Sequence, residues 1–486
     1  MPLSNMNRLS QVQSDKDIKA LSHAQFPGPH CPLFGAIMTA SYVKDLAVLV
    51  IGTEECTYYG KDFAMLRQNG RDKVYSAVME QHDITFGCED GLRDIILEID
   101  REEKPEALLV ITTCVVELIG EDVASVLYSL RNEVDTTLLV AKTEHFKCNS
   151  HIDGIEKTFE QFSLLMEDQT KLDKAVNILG FKYVGIEKTE LAQALNGAGA
   201  HLHLTLPSDS TVEAIRKAPA ASLNIVVEST ALGLAKEMEK TFGIPYVDFT
   251  DSLVIDSVTA AYREIEDHLG IAFGADLYTK AQSTADQCAT LKEEIEGSTF
   301  IYGNTPWNVF DFTQFMLSLG VQPEVLQVRE LYAGDMYKIQ KILSHDVDPH
   351  AVRMANIAPL REVYGLKKPT YYFGHENPGV LKQHGVKQVV SDVASKRVGY
   401  ERISELLTQI KEGRGMRALM GAPGSVYLTT QVKDKVKNMK HIPKPMKMMI
   451  NAMDDIPEKM AKAILKMKDQ PGAAMAMMGG GKHASV

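Results

Sequence analysis

The chain has 486 residues, enough for about three domains, and its hydrophobic fraction of 45% and charged fraction of 24% are ordinary for a globular protein. A formal net charge of −12 argues against nucleic acid as the main partner, since a phosphate-binding surface needs a basic face. No apolar run reaches the roughly 18–20 residues of a transmembrane helix, Met1–Asp15 lacks a signal-peptide core, and six cysteines in so long a chain are no disulfide framework, so no membrane association and a cytoplasmic location with reduced thiols are expected.

Residues 1–27 read as an irregular N-terminal arm. A first α/β unit is expected over 28–172. It opens with Gly28-Pro29-His30-Cys31-Pro32-Leu33-Phe34-Gly35-Ala36, followed by a helix over Phe34–Val43 and a strand over Leu46–Gly52. The turn after that strand, Gly52-Thr53-Glu54-Glu55-Cys56-Thr57-Tyr58-Tyr59-Gly60, carries a second cysteine. Cys88 stands before a helix over Leu92–Ile99 and reads as structural. Ala107–Thr113 is the next strand and delivers Cys114; helix Glu121–Leu130 and strand Thr137–Thr143 follow. The Val, Ile and Leu runs of these strands are those of parallel strands buried on both faces.

A second unit is expected over 173–296, with strands Ala175–Gly180, His201–Leu206 and Ser222–Val227 and helices Thr230–Thr241 and Asp276–Glu296. Cys288, in the last of these, reads as incidental. A third unit spans 297–410. Its first strand enters the turn Gly303-Asn304, and strands Gln322–Val328, Pro369–Gly374 and Lys387–Ser391 precede helix Arg402–Ile410. The Gly-Asn turn lacks the G-x-G-x-x-G of a dinucleotide site and reads as structural. From Lys411 the character changes. The extension 411–486 holds twelve of the 22 methionines, with helical spacing over Ile456–Lys468 and disorder expected over Gln470–Val486. Gly479-Gly480-Gly481-Lys482-His483 is not a phosphate-binding loop, because His483 replaces the Ser/Thr and no strand–helix frame surrounds it. The fold class is therefore α/β: three Rossmann-like parallel-sheet domains plus a helical or partly disordered C-terminal extension.

Ligands of open α/β sheets gather beyond the carboxyl ends of the strands. Cys56 and Cys114 sit at two such ends, and Cys31 lies in a Gly/Pro-rich loop. A free cysteine is often only a small buried hydrophobe. Three of them at loops of one unit suit a soft metal centre, an iron–sulfur cluster more than a lone zinc, since the spacing fits no compact zinc pattern. Three ligands leave a cubane one short, so the fourth has to come from another chain or a non-cysteine side chain.

The segments around these cysteines resemble the component 1 subunits of the nitrogenase superfamily, of the β type. Those subunits carry Cys-Pro-x-x-Gly-Ala, a Gly-x-x-x-Cys-x-x-Tyr turn, and a third Cys followed by Leu-Ile-Gly-Asp-Asp. Here the last motif reads Leu118-Ile119-Gly120-Glu121-Asp122. The resemblance continues more weakly to about residue 410 and implies the three-domain fold of that family. It implies Cys31, Cys56 and Cys114 as ligands of a [4Fe-4S] cluster or an eight-iron P-cluster-like centre at a subunit interface. In Glu144-His145-Phe146-Lys147-Cys148-Asn149-Ser150-His151, His145 stands where the family has a serine able to bind the oxidised eight-iron cluster, which makes it a further cofactor-binding candidate. Cys148 reads as a helix-start residue.

The implied partners are a paralogous α-like component 1 subunit and a homodimeric iron–sulfur ATPase that delivers electrons. Aligned through Gly243-Ile244-Pro245, the cysteine that holds the catalytic cofactor of α subunits falls near Val227, and no cysteine is close. The resemblance thus implies an electron-transfer subunit of a nitrogenase-like oxidoreductase, a hetero-oligomer of the methylthio-alkane reductase kind, with its catalytic residues unassigned. The alternatives are a scaffold for assembly of a nitrogenase-type metal cofactor, a subunit of a tetrapyrrole-reducing enzyme, and a structural subunit with buried thiols.

Overall fold

The computed structural model describes residues 6–21, 31–56, 58, 73–148, 150–353, 360–413, 426–439, 442, 444–452, 456, 460–461 and 464–465. Fourteen strands among them form three sheets: β1 (Asn7–Arg8), β2 (Leu46–Gly52), β3 (Val74–Val78), β4 (Ala107–Thr112), β5 (Thr137–Lys142), β6 (Ala175–Phe181), β7 (His201–Pro207), β8 (Leu223–Val226), β9 (Tyr246–Asp248), β10 (Thr299–Tyr302), β11 (Gln322–Val328), β12 (His350–Arg353), β13 (Tyr371–Phe373) and β14 (Lys387–Val389). The first sheet has the order β3-β2-β4-β5, the second β7-β6-β8-β9 and the third β1-β12-β11-β10-β13-β14. Every pairing is parallel except that of β1 with β12. No helix among the described residues is long and apolar enough to cross a membrane.

The central strands show why so apolar a sequence becomes a sheet. All seven residues of β2 and all six of β4 are buried. Successive side chains point to opposite faces. Leu46, Val48 and Val50 pack on one side with Leu109, Ile111 and the helix Pro32–Ala40. Ala47, Leu49 and Ile51 pack on the other with Leu108, Val110 and the helices Glu89–Glu103 and Val123–Leu130. Each buried Val, Leu or Ile contributes about 1.5–3 kcal/mol relative to exposure. The first cluster also takes in Leu179, Leu204, Leu206 and Val226 of the second sheet, so the first two sheets share a core.

Three expectations change. The N-terminal segment is not irregular throughout: Asn7 and Arg8 pair with Ala351 and His350 of the third sheet. Both terminal nitrogens of the Arg353 guanidinium also hold the Asp15 carboxylate. Where one helix was expected, over Glu121–Leu130, a helix over Cys114–Ile119 comes first and a second runs from Val123 to Leu130. Gly120 ends the first at φ 81, and the Asp122 carboxylate accepts the Ser125 N–H to start the second. The short strands β3, β9 and β12 escaped the sequence reading, because three to five residues do not establish a period. In the C-terminal extension, helices Val426–Asn438 and Lys444–Ala452 contribute to a separate apolar cluster of Val432, Val436, Met439, Ile442, Ile450, Ile456, Ala461 and Ile464. Gln470–Val486, with its Gly-Lys motif, lies outside the described residues.

Candidate functional site

The carboxyl edge of the first sheet gathers the cysteines. Cys31 caps the helix Pro32–Ala40, with φ −92 and ψ 125, and Pro32 takes the first helical position, where a missing N–H is harmless. Residues 54–56, just beyond β2, are helical and include Cys56. Cys114 is the first residue of the helix Cys114–Ile119, entered directly from β4 through Thr113. Gly52 makes room here: a Cβ on it would lie 2.1 Å from the Thr113 hydroxyl oxygen. The Thr113 N–H donates to the Ile51 carbonyl at 3.2 Å, which fixes the entry to the helix.

All three thiols are free and half-buried. They interact electrostatically: Cys56 and Cys114 each disfavour ionisation of Cys31, and Cys56 disfavours that of Cys114. Burial is the largest effect and pushes the thiol of Cys31 above its ordinary range, opposed by the backbone N–H groups of Leu33 and Phe34. Burial likewise raises Cys114, opposed by the N–H of Val115. Amides at two helix starts therefore face the sulfurs, as suits thiolates carrying negative charge.

This donor set fits an iron–sulfur cluster. Three soft sulfurs come from three elements, and the helix-start amides favour the charged form of two of them. Among the described residues no three His, Cys, Asp or Glu groups form a cage for a single metal ion. A multi-iron cluster spreads its ligands over several metals and needs no such cage.

The remaining candidates divide. His145 opens the short helical turn His145–Lys147 after β5, next to Glu144 at φ 47; its side chain lies outside the described residues, as do Gly28–His30 and Tyr59–Gly60. Cys148 is buried, with its sulfur 3.9 Å from the Thr143 carbonyl oxygen and 3.8 Å from that of Glu144. Burial, then the neighbouring Asp153, pushes its thiol up to about 12, and it also interacts with Cys31. The sequence reading missed this approach, and the four-residue spacing to Ile152 at the next helix holds no sign of it. Cys88 sits in the core below the first sheet, its thiol pushed up to about 11 by burial and then by Glu121. Cys288 packs against the core of the third sheet, raised to about 11 by burial.

Large apolar side chains surround the cysteine edge in the open. Tyr58 follows Cys56, and Leu118 and Ile119 end the Cys114 helix. Phe86 ends the helix Gln81–Phe86, which touches the Cys114 helix, and Phe146 lies in the turn after β5. Phe86 is 76% and Leu118 68% exposed, so most of each side chain's apolar area stays in water.

A family model described as nitrogenase component 1 type oxidoreductase matches residues 31–413. The chain is 27% identical over 235 residues to the nitrogenase molybdenum-iron protein alpha chain of Clostridium pasteurianum, covering 46% of this chain and 44% of that one. It is 25% identical over 353 residues to the nitrogenase iron-molybdenum cofactor biosynthesis protein NifE of Nostoc sp., covering 68% and 72%. It is 26% identical over 251 residues to one of the subunits of the light-independent protochlorophyllide reductase of Huperzia lucidula, covering 48% and 49%. The first and third matches thus span about half the length of those relatives. Two solved structures titled nitrogenase Cp1, at pH 5 and at pH 6.5, superpose with TM-scores of 0.61 and 0.67 at 18% and 14% identity. They cover 83% and 80% of this chain and 91% and 93% of theirs, a likeness of fold.

Proposed function

The chain belongs to the nitrogenase component 1 type oxidoreductases, and from that premise we propose that Cys31, Cys56 and Cys114 supply thiolate ligands to an iron–sulfur cluster, of four or eight irons, at a subunit interface. The observation that carries the proposal is three free, mutually interacting thiols at one sheet edge inside an exposed apolar rim. Such a rim is the surface that a paralogous subunit would cover, and that subunit would complete the ligand shell.

When bound, the cluster accepts and releases single electrons. The chain's own residues prepare its seat. The N–H groups of Leu33, Phe34 and Val115 favour the thiolate form that metal binding requires. Leu33 and Val116, both buried, limit water at the helix starts behind Cys31 and Cys114. Burial and amide hydrogen bonds are the levers by which a protein sets a cluster's potential. The electron source in this reading is a homodimeric iron–sulfur ATPase, and the active site lies on, or is shared with, the paralogous chain. His145 is a further candidate toward the cluster.

A second reading, a scaffold on which a nitrogenase-type metal cofactor is assembled, is supported by the long NifE match over 68% of the chain. Anaerobic purification with natural partners, followed by iron and sulfide determination, tests the shared premise: Cys31→Ala, Cys56→Ala and Cys114→Ala should each remove most of the iron. Full iron in all three variants would end the ligand assignment. Sustained substrate reduction with the ATPase supports the reductase; loss of bound metal to an acceptor protein without turnover supports the scaffold.

A further inference from the structure

The extension 411–486 lies almost wholly beyond the family match, which ends at residue 413. It also reverses the charge of the chain. It holds fourteen lysines and arginines against six aspartates and glutamates, whereas residues 1–410 hold 38 against 58. A module of +8 thus follows a body of −20. The positive charge concentrates over 433–447, with six lysines and one acid.

Helices Val426–Asn438 and Lys444–Ala452 turn their apolar residues into a cluster of their own. Lys435 is spent on the Leu465 carbonyl at 2.6 Å, and Lys447 on the Lys437 carbonyl at 3.3 Å. Lys433, Lys437 and Lys444 have no carboxylate at ion-pair distance among the described residues, and the last two are exposed. Among the described residues Met448 is the only large apolar side chain that these helices leave in the open. The module therefore offers ammonium groups outward. That suits a folded acidic surface better than a bilayer, which takes up a free apolar helix face.

The body carries the complement. Helix Glu89–Glu103 has seven carboxylates and two arginines. Arg93 is taken by Glu133 at 2.5 Å and Arg101 by Glu102 at 2.8 Å. Asp90, Asp94 and Glu98 are exposed and have no ion pair among the described residues. They fall at i, i+4 and i+8, about 6 Å apart along one face. Like charges at this spacing repel, and Lys433 and Lys437 repeat the spacing with the opposite sign. This acidic helix covers the face of the first sheet turned away from helix Ile152–Ser163. The loop after β11 meets the first unit on the side of Ile152–Ser163, where Asp153 and Glu156 act on Tyr332. The twelve residues 414–425 reach about 40 Å at most. They would have to round the first sheet to bring a copy's lysines to its own carboxylates.

We propose that the C-terminal extension docks on a second copy of this chain, with Lys433, Lys437 and Lys444 against Asp90, Asp94 and Glu98, reciprocally about a two-fold axis. Each copy gives one basic module and receives one, which offsets the repulsion between two acidic bodies. The contact uses none of the cysteines and stands apart from the cluster assignment.

A carbodiimide, which joins a lysine amine to a touching carboxylate, tests the proposal on an equal mixture of unlabelled and isotope-labelled full chain. Sedimentation velocity at about 50 and about 500 mM sodium chloride accompanies it. The expected result is cross-links between labelled and unlabelled copies that join the extension to the peptide holding Asp90, Asp94 and Glu98. Self-association should be at least about tenfold weaker at high salt. Lys437→Glu and Asp94→Lys should each weaken association about tenfold, and the two together should restore it, a rescue that a folding defect would not give. Cross-links confined to single copies, association indifferent to salt, or no rescue by the paired variant would each overturn the proposal. So would binding to phosphatidylserine vesicles that Lys437→Glu abolishes while self-association is unchanged, which would give these lysines to a membrane.

Discussion

Gly154→Ala is the sharpest test of how the cysteine edge is held. The helices Pro32–Ala40 and Ile152–Ser163 cross at two glycines. A Cβ on Gly154 would lie 1.8 Å from the Pro32 carbonyl oxygen and 2.9 Å from the Ala36 nitrogen, where ordinary contact begins at 3.4 Å. A Cβ on Gly35 would lie 1.8 Å from the His151 carbonyl oxygen. The obstacles are backbone atoms, so no rotamer change removes the clash, and one helix has to move. One turn on, Thr39 and Thr158 hydroxyls donate to the Gly35 and Gly154 carbonyls, both at 2.8 Å, and spend their polar groups inside their own helices. Overpacking of this kind costs about 3 kcal/mol, the upper part of its usual range, because backbone meets backbone. Alanine's better helix propensity returns about 1 kcal/mol. The net expectation is a loss of about 2 kcal/mol, read from the urea midpoint at unchanged slope. Because the displaced atom belongs to Pro32, next to Cys31, iron per chain should fall although every cysteine remains. Gly91→Ala is the control: it sits in the helix Glu89–Glu103 with nothing within 4 Å of its Cβ. It should gain about 0.5–1 kcal/mol. If Gly154→Ala also gained stability and kept full iron, the close-crossing argument would be wrong.

Three further predictions concern the frame. His350 is buried, and burial first, then Arg8 and Lys367, hold its imidazole below 6.5, against Glu324. The unfolded chain therefore binds the extra proton, so His350 leaves stability intact above pH 6.5 and drains it as pH falls below that value. His350→Gln should flatten the acid side of the urea midpoint plotted against pH, and parallel curves would refute this. Glu190 is buried and accepts the Tyr400 N–H at 2.8 Å and the Tyr262 hydroxyl at 3.0 Å, with Lys280 3.3 Å away. Glu190→Ala should cost about 2–4 kcal/mol, whereas Glu190→Gln, which keeps an acceptor, should cost no more than about 1.5 kcal/mol; equal midpoints would show that the acceptor is not what matters. Asp15→Asn breaks the two-pronged pair with Arg353 and should cost about 1–3 kcal/mol. Proteolysis within residues 6–21 should quicken with it, and unchanged cleavage would detach that pair from the docking of the N-terminal segment.

The sequence alone determined what local pattern can carry. The unbroken apolar runs of β2 and β4 announced buried parallel strands, because they are short and rich in β-branched Val and Ile. The residues flanking Cys31, Cys56 and Cys114 pointed to the family, and the motif Cys31-Pro32-Leu33-Phe34-Gly35-Ala36 already contained the crossing glycine. Tertiary structure alone decided the pairings between distant segments. The two residues of β1 have no period, and only the open edge of β12 makes them a strand. The partner of Gly35 lies more than a hundred residues away at Gly154. Cys148 comes within electrostatic influence of Cys31 only through the tertiary packing of these segments. Arg402 reads in sequence as one more charge in an amphipathic helix; its burial follows from the approach of the second and third sheets. Local periodicity is written in neighbouring residues, whereas close approach and desolvation depend on what the rest of the chain brings alongside.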